Sequence, residues 1–191
     1  MQKHIFWIMI GSIITLFVGI GLLIINLNNQ LVTGKQQVVA QWSQVENQMQ
    51  RRFDLTPQLV GSVKGQMKHE EKIFTAIANA RKSFQNADSA KHRMAANGEL
   101  DRSTNLLINA IHENYPQLQS NQQVQQLMTE VAGSENRLSQ ERRTYNQNVQ
   151  AFNLQVQRFP ASLIAQNLGF RPFDYFKADV HAAKAPKIKL N

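Results

Sequence analysis

Alternating steps of four and three residues organise most of this chain. One such series visits Leu31, Val38, Trp42, Val45, Met49, Arg52, Thr56, Leu59 and Val63. A second runs Val124, Met128, Val131, Glu135, Leu138, Arg142, Tyr145, Val149, Phe152, Val156 and Phe159, and nine of its eleven positions are apolar. A helix that packs along one side needs such a stripe. Pro57 interrupts the first series and either kinks the helix or starts a new one behind an Asp54 cap. Because the register continues past it, the pattern predicts one kinked helix from about Asn28 to Gln66, with Gly65 as the stop. "HEEKIFTAIANARKSF" predicts a second helix on Ile73, Phe74, Ile77, Ala80 and Phe84. "QNADSAKHRMAANGEL" is polar and ends near Asn-Gly, so a reversal is expected between about 85 and 99. "LLINAIHENYP" predicts a third helix closed by Pro116, and the fourth ends at Phe159-Pro160. No segment alternates with a strand period. The expectation is an all-α fold with an antiparallel up-and-down bundle of four helices, first and last longest, each about 40 residues or roughly 60 Å.

The N-terminus follows a different pattern. "IFWIMIGSIITLFVGIGLLII", Ile5 to Ile25, contains no charged residue, and a bilayer core needs roughly 20 such residues. A cleaved signal peptide would have a shorter apolar region, about 7–15 residues, followed by a small-residue cleavage pattern. "NLNNQLV" follows this run without one. The expected division is a membrane anchor over 1–27 with its span at about 5–25, a helical bundle over 28–160 and an aromatic, basic tail over 161–191. Within the span Gly11, Thr15 and Gly19 recur every fourth residue, a face on which two helices can approach closely and form a homo-oligomer; glycines are also simply common in membrane spans. Lys3 and the α-amino group precede the span and only Lys35 follows it, so the positive-inside rule leans toward an internal N-terminus by one charge. The expected location is the inner cell membrane, single-pass, with the side carrying the bundle left open.

Composition narrows the chemistry. The absence of cysteine removes thiol catalysis, cysteine-ligated zinc and disulfides, and leaves the redox compartment undecided. His69-Glu70 begins an H-E-x-x-H zinc motif, but Ile73 stands where the second histidine belongs. These two residues are expected instead at the start of the second helix. A net charge of +8 and a pI near 10.0 allow acidic partners. Lys and Arg are nevertheless scattered among acids, without the basic run or aromatic array of a nucleic-acid surface. Basic and aromatic residues interleave only in the tail. There Phe170, Arg171, Phe173, Tyr175, Phe176 and Lys177, with Lys184, Lys187 and Lys189, are expected at the lipid headgroups, where aromatic rings and basic side chains are favoured. The alternative places the aromatic rings in the bundle.

Glu135 and Arg142 stand where core residues belong, as does Arg52. In an up-down bundle, Arg52 lies about 14 residues from the shared end of the first and fourth helices and Glu135 about 15. Arg142 lies about 22 residues down and Glu46 about 20, so two charge layers are expected, Arg52 with Glu135 and Arg142 with Glu46. Such pairs can fix the register of slippery apolar seams. An ion or ligand site is the alternative, and a hydrolase with Glu135 as its base is a third reading, which lacks an accompanying nucleophile, second base or metal cluster.

Several blocks together resemble the signature blocks of the LemA family: "NQLVTGKQQVVAQWSQVENQMQRRFDLTPQLVGSVKG", "KHEEKIFTAIANAR", "YPQL", "ENRLSQERRTYNQNVQAFN" and "FPASLIAQNLGF". They occur in the family's order from Asn29 onward. Asn28-Asn29 stands where the family usually has Tyr-Asn, and Phe152-Asn153 replaces a second Tyr-Asn. The resemblance implies a single-pass membrane protein with a helical bundle outside the bilayer. The family has no established enzymatic activity, and a relative takes part in building magnetosome organelles. The resulting expectation is a non-enzymatic scaffold or adaptor for protein assembly at the membrane, without cofactor, metal or nucleic acid. Its partners would be the bilayer and a membrane or membrane-proximal protein. The alternative is an accessory subunit of a membrane enzyme or transport complex.

Overall fold

The computed structural model describes residues 2–176. Five α-helices follow in order: α1 Gln2–Val63, α2 Glu71–Gln85, α3 Ala90–Asn114, α4 Pro116–Gln119 and α5 Gln122–Gln157. A short 3-10 helix, Ala161–Leu163, comes after them. The fold is all-α, and α1 and α5 are the longest helices. α1 crosses both the expected anchor boundary at residue 27 and Pro57 as one helix. It carries one stretch long and apolar enough to cross a membrane.

The chain divides into two compact units. The first joins α1 up to Gln41 with Tyr145–Asp174. Within it α1 and α5 run antiparallel: the Asn148 amide reaches the Gln37 carbonyl at 3.5 Å, and Gly34 faces Phe152 and Gln155. A Cβ on Gly34 would meet the Phe152 ring at 3.1 Å and the mobile end of Gln155 at 2.5 Å, so α5 passes close to α1 at this point. Leu31, Val38, Tyr145, Val149 and Phe152 are buried here.

The second unit comprises Trp42–Thr144 with Tyr175 and Phe176 among the described residues. In it α1 lies antiparallel to α2, with Phe53 stacked on Phe84 at 4.1 Å and Pro57 and Val60 beside Ile77 and Arg81. α3 runs parallel to α1, since Glu46 pairs with Arg93 and Arg52 with Asp101. Val45, Met49, Leu59, Val63, Ile77, Leu100, Leu107, Ile111, Leu118, Val124, Val131 and Leu138 fill the core.

The reversal expected between about 85 and 99 falls at 86–89, while Asn97-Gly98, the turn signal within that stretch, lies inside α3. Ser89 caps that helix by accepting the His92 N–H at 3.3 Å. Asn97 is fully buried, and its amide donates to both Asp101 carboxylate oxygens one turn on at 3.1 Å, so burial and a bond within the helix override its turn preference. The fourth seam also stops short of its expected end, because Phe159 lies beyond α5 and is exposed.

Candidate functional site

Four charged side chains from three helices meet in the second unit. Arg52 on α1 is 1% exposed, although an arginine carries a charge that water would otherwise solvate. Its Nη1 donates to Asp101 Oδ1 on α3 and to Glu135 Oε2 on α5. Arg142, also on α5, donates from Nη2 to Asp101 Oδ2 at 3.2 Å, and its Nη1 lies 3.6 Å from Glu135 Oε1. Two guanidinium groups thus face two carboxylates, and the formal charges balance. Asp101 is the hub, since it accepts from both arginines and from Asn97.

Burial pushes both arginines below their ordinary pKa, with Glu135 acting in the opposite direction on each. The Phe176 ring lies 4.6 Å from the Arg142 guanidinium carbon and covers it on one side. Satisfaction is incomplete, because Nε of Arg52, Nε of Arg142 and Oδ1 of Asn97 are buried without a hydrogen-bond partner among the described residues. Such a cluster is costly to break but contributes little net stability over an apolar core.

The structure brings Arg52 and Glu135 together. It does not bring Arg142 to Glu46. Glu46 instead pairs with Arg93 at the edge of α3, both side chains being about one third exposed, and Arg142 turns to Asp101 and Glu135. The expected second layer is therefore replaced by one four-residue cluster, because α3 reaches further toward its N-terminus than expected and inserts Asp101. Asp101 lies outside the seams that the 4/3 series of α1 and α5 define. A signal for it exists: Ala96, Leu100, Ser103, Leu107 and Ala110 repeat the 4/3 step through the polar stretch, and all are buried.

A neutral counterpart lies in the first unit. The Asn153 amide donates to the Phe173 carbonyl at 2.9 Å, and the Phe173 N–H donates to Asn153 Oδ1 at 2.8 Å. The Tyr145 hydroxyl donates to the Asp174 carbonyl at 3.1 Å. Phe170 is 8% exposed and packs on Phe152, and Phe173 is half-buried against the same ring. These contacts correct the headgroup expectation for Phe170 and Phe173, which pack on protein; Phe176 is half-buried against Arg142. Arg171 and Tyr175 are exposed. Lys177, Lys184, Lys187 and Lys189 lie outside the described residues.

In the apolar span, Thr15 donates its hydroxyl to the Gly11 carbonyl at 2.9 Å. A Cβ added at Gly11 or Gly19 would meet nothing within 4 Å. His69 is exposed, and Glu70 occupies the N-cap of α2 without a side-chain cap bond. Among the described residues, no cluster of three or more His, Asp or Glu side chains could hold a metal ion.

The chain is similar in sequence to known proteins. The chain is 24% identical over 174 residues to magnetosome protein MamQ of Magnetospirillum gryphiswaldense, a match covering 78% of this chain and 64% of that protein. It is 23% identical over 196 residues to magnetosome protein MamQ 2 of Paramagnetospirillum magneticum, covering 89% of this chain and 71% of that protein. The chain thus spans about two thirds of the length of these relatives. The LemA family model matches residues 41–190, most of this all-helical chain, and the protein belongs to the LemA family.

Proposed function

We propose that this protein is a membrane-tethered helical scaffold or adaptor for protein assembly, held by the α1 span in the inner cell membrane, with its bundle outside the bilayer. The observation that carries this reading is α1 itself. Its stretch from Gly11 to Ile20 is exposed throughout, yet it includes Ile13, Leu16 and Phe17. An apolar helix with no protein around it suits lipid as its solvent. The charged cluster supports a structural role for the polar seam, since its arginines and carboxylates are spent on one another. A groove beside α2, lined by Pro57, Val60, Phe74, Ile77, Arg81 and Lys82, with a volume of about 480 Å³, supports docking of a protein partner. The named relatives are magnetosome proteins, and work at an organelle fits such a scaffold.

The test is photo-crosslinking from the bundle in native membranes, followed by mass spectrometry. Several different proteins captured reproducibly would support the scaffold. A single stoichiometric membrane enzyme or transporter would overturn it in favour of an accessory subunit.

A further inference from the structure

The first unit leaves its large apolar side chains in the open just past α5. Phe159 is 79% exposed, Leu163 67% and Leu168 44%. One exposed leucine is ordinary, but three large apolar groups in so short a segment mark an interaction site. The segment is built, not slack. Ser162 N–H bonds the Arg158 carbonyl at 2.9 Å, Ala165 N–H the Ala161 carbonyl at 2.8 Å, and Leu168 N–H the Ile164 carbonyl at 3.0 Å. It closes at Gly169, whose φ of 78° suits glycine, and Phe170 N–H returns to the Ala165 carbonyl at 2.9 Å. Ala161, Ala165 and Phe170 face inward. The same backbone holds Phe159, Leu163 and Leu168 outward.

The helix register locates this loop. α5 runs antiparallel to α1 through Asn148 with Gln37 and Gln155 with Gly34, and the Lys35 ammonium lies 6.0 Å from the centre of the Phe170 ring. Each residue forward on α5 is about one residue back on α1, so the loop beyond Gln157 lies level with α1 near Asn29 or just before it. The uncharged span Ile5–Ile25 ends there. The charge pattern agrees: residues 26–41 and 145–174 contain Lys35, Arg158 and Arg171 against one acid, Asp174, and Arg158 and Arg171 flank the loop, exposed.

We propose that Phe159 and Leu163, with Leu168 beside them, dip into the surface of the bilayer that α1 spans, while Arg158 and Arg171 meet anionic headgroups. The inference rests on the reading of α1 as a membrane anchor. Of the possible occupants, only the bilayer is already brought to this place by α1. Apolar groups buried at the headgroup boundary with basic residues beside them are the usual composition of an interfacial anchor. The loop is then a second point of contact beside the span and limits how far the helix pair can swing away from the membrane.

The chain has no cysteine, so a single introduced cysteine can carry a spin label. The full chain would be reconstituted in vesicles of phosphatidylcholine and phosphatidylglycerol, with labels at Phe159→Cys, Leu163→Cys, Phe17→Cys and Leu106→Cys. Leu106 is an exposed apolar residue of the second unit. Collision with oxygen reports lipid, and collision with a nickel chelate reports water. The oxygen-to-nickel ratio at residues 159 and 163 should exceed that at residue 106 several-fold. Equal ratios at 159, 163 and 106, with the residue 17 label in lipid, overturn the loop contact alone. Shielding of 159 and 163 from both reagents overturns it in favour of a protein occupant. A residue 17 label in water overturns the anchor and the loop contact with it. Both loop positions are exposed, and either label decides if the other variant loses helicity by circular dichroism.

Discussion

The two units use polar side chains in their interiors in different ways. In the second unit, four full charges, Arg52, Asp101, Glu135 and Arg142, tie α1, α3 and α5 together. In the first, a neutral amide and a phenol, Asn153 and Tyr145, hold the segment at Phe173 and Asp174 to α5 through its backbone. A buried charge must be answered by another side chain at a matching height, so it selects one helix register. A neutral amide needs only a backbone donor and acceptor, which any extended segment supplies, so it fixes where the chain runs. Charge in one unit is thus expected to specify pairing, and the amide in the other to specify a path.

The largest expected effect comes from the hub of the charged cluster. Asp101→Ala removes an acceptor from Arg52, Arg142 and Asn97 together, and should destabilise the bundle by about 3–5 kcal/mol. Glu135→Gln should cost less, because Arg52 keeps Asp101. Replacing all four charged residues with apolar side chains of similar volume should recover most of the loss, as desolvation of the charges disappears with them. Chemical denaturation of the three variants measures this order. An Asp101→Ala variant as stable as the unmodified protein would remove the claim that charge specifies pairing.

The charged half of this contrast was readable in the sequence in part, and the neutral half was not. Arg52, Glu135 and Arg142 interrupt apolar seams, and an interruption is visible because the period around it is strict. Asp101 stayed hidden because Asn97-Gly98 carries strong local turn preference, which masks the fainter 4/3 stripe of Ala96, Leu100, Ser103 and Leu107 that runs through it. Asn153 sits next to the Phe152 seam position and looks like an ordinary polar flank, since its partner, Phe173, is a backbone twenty residues away that has no periodicity. Phe170 and Phe173 failed for the same reason: aromatic and basic residues near a membrane-proximal helix end suit lipid and protein packing equally, and only the path held by Asn153 decides. The existence of the four main bundle helices was readable, and in α1 a stripe that runs from Leu31 to Val63 overrides a local exception such as Pro57.

The next largest effect falls on the neutral clasp. Asn153→Ala deletes both hydrogen bonds to Phe173 and leaves its backbone groups without protein partners, at a cost of about 1–3 kcal/mol. The loss should be local. Proteolysis after Arg171 should accelerate strongly while global unfolding shifts little. If global stability falls as far as for Asp101→Ala, the two devices do not differ in kind.

The clasp should also respond to alkali. Burial pushes the Tyr145 phenol above its ordinary 10.0, with the Asp174 charge adding to the shift. A raised folded-state pKa means that the neutral phenol is favoured in the folded protein. Its contribution is therefore complete below about pH 10 and is lost as pH rises through the higher folded value. Absorbance titration of the three tyrosines should show one late component that disappears in Tyr145→Phe. A late component that survives this substitution would assign it elsewhere.

The smallest effect tests how far the charged device extends. Glu46 and Arg93 pair within the same unit, but their side chains are 30% and 36% exposed, so water already solvates much of each charge. Glu46→Gln should cost only about 0–1 kcal/mol, and added salt should shrink even that. The same salt should leave the cost of Asp101→Ala nearly unchanged, since screening ions do not reach a guanidinium as enclosed as that of Arg52. A double-mutant cycle between Glu46 and Arg93, run at low and high salt, measures the difference. A coupling for this pair as large and as salt-resistant as that between Arg52 and Asp101 would show that register is set by two layers of charge, and that exposure is a poor guide to which pairs do the specifying.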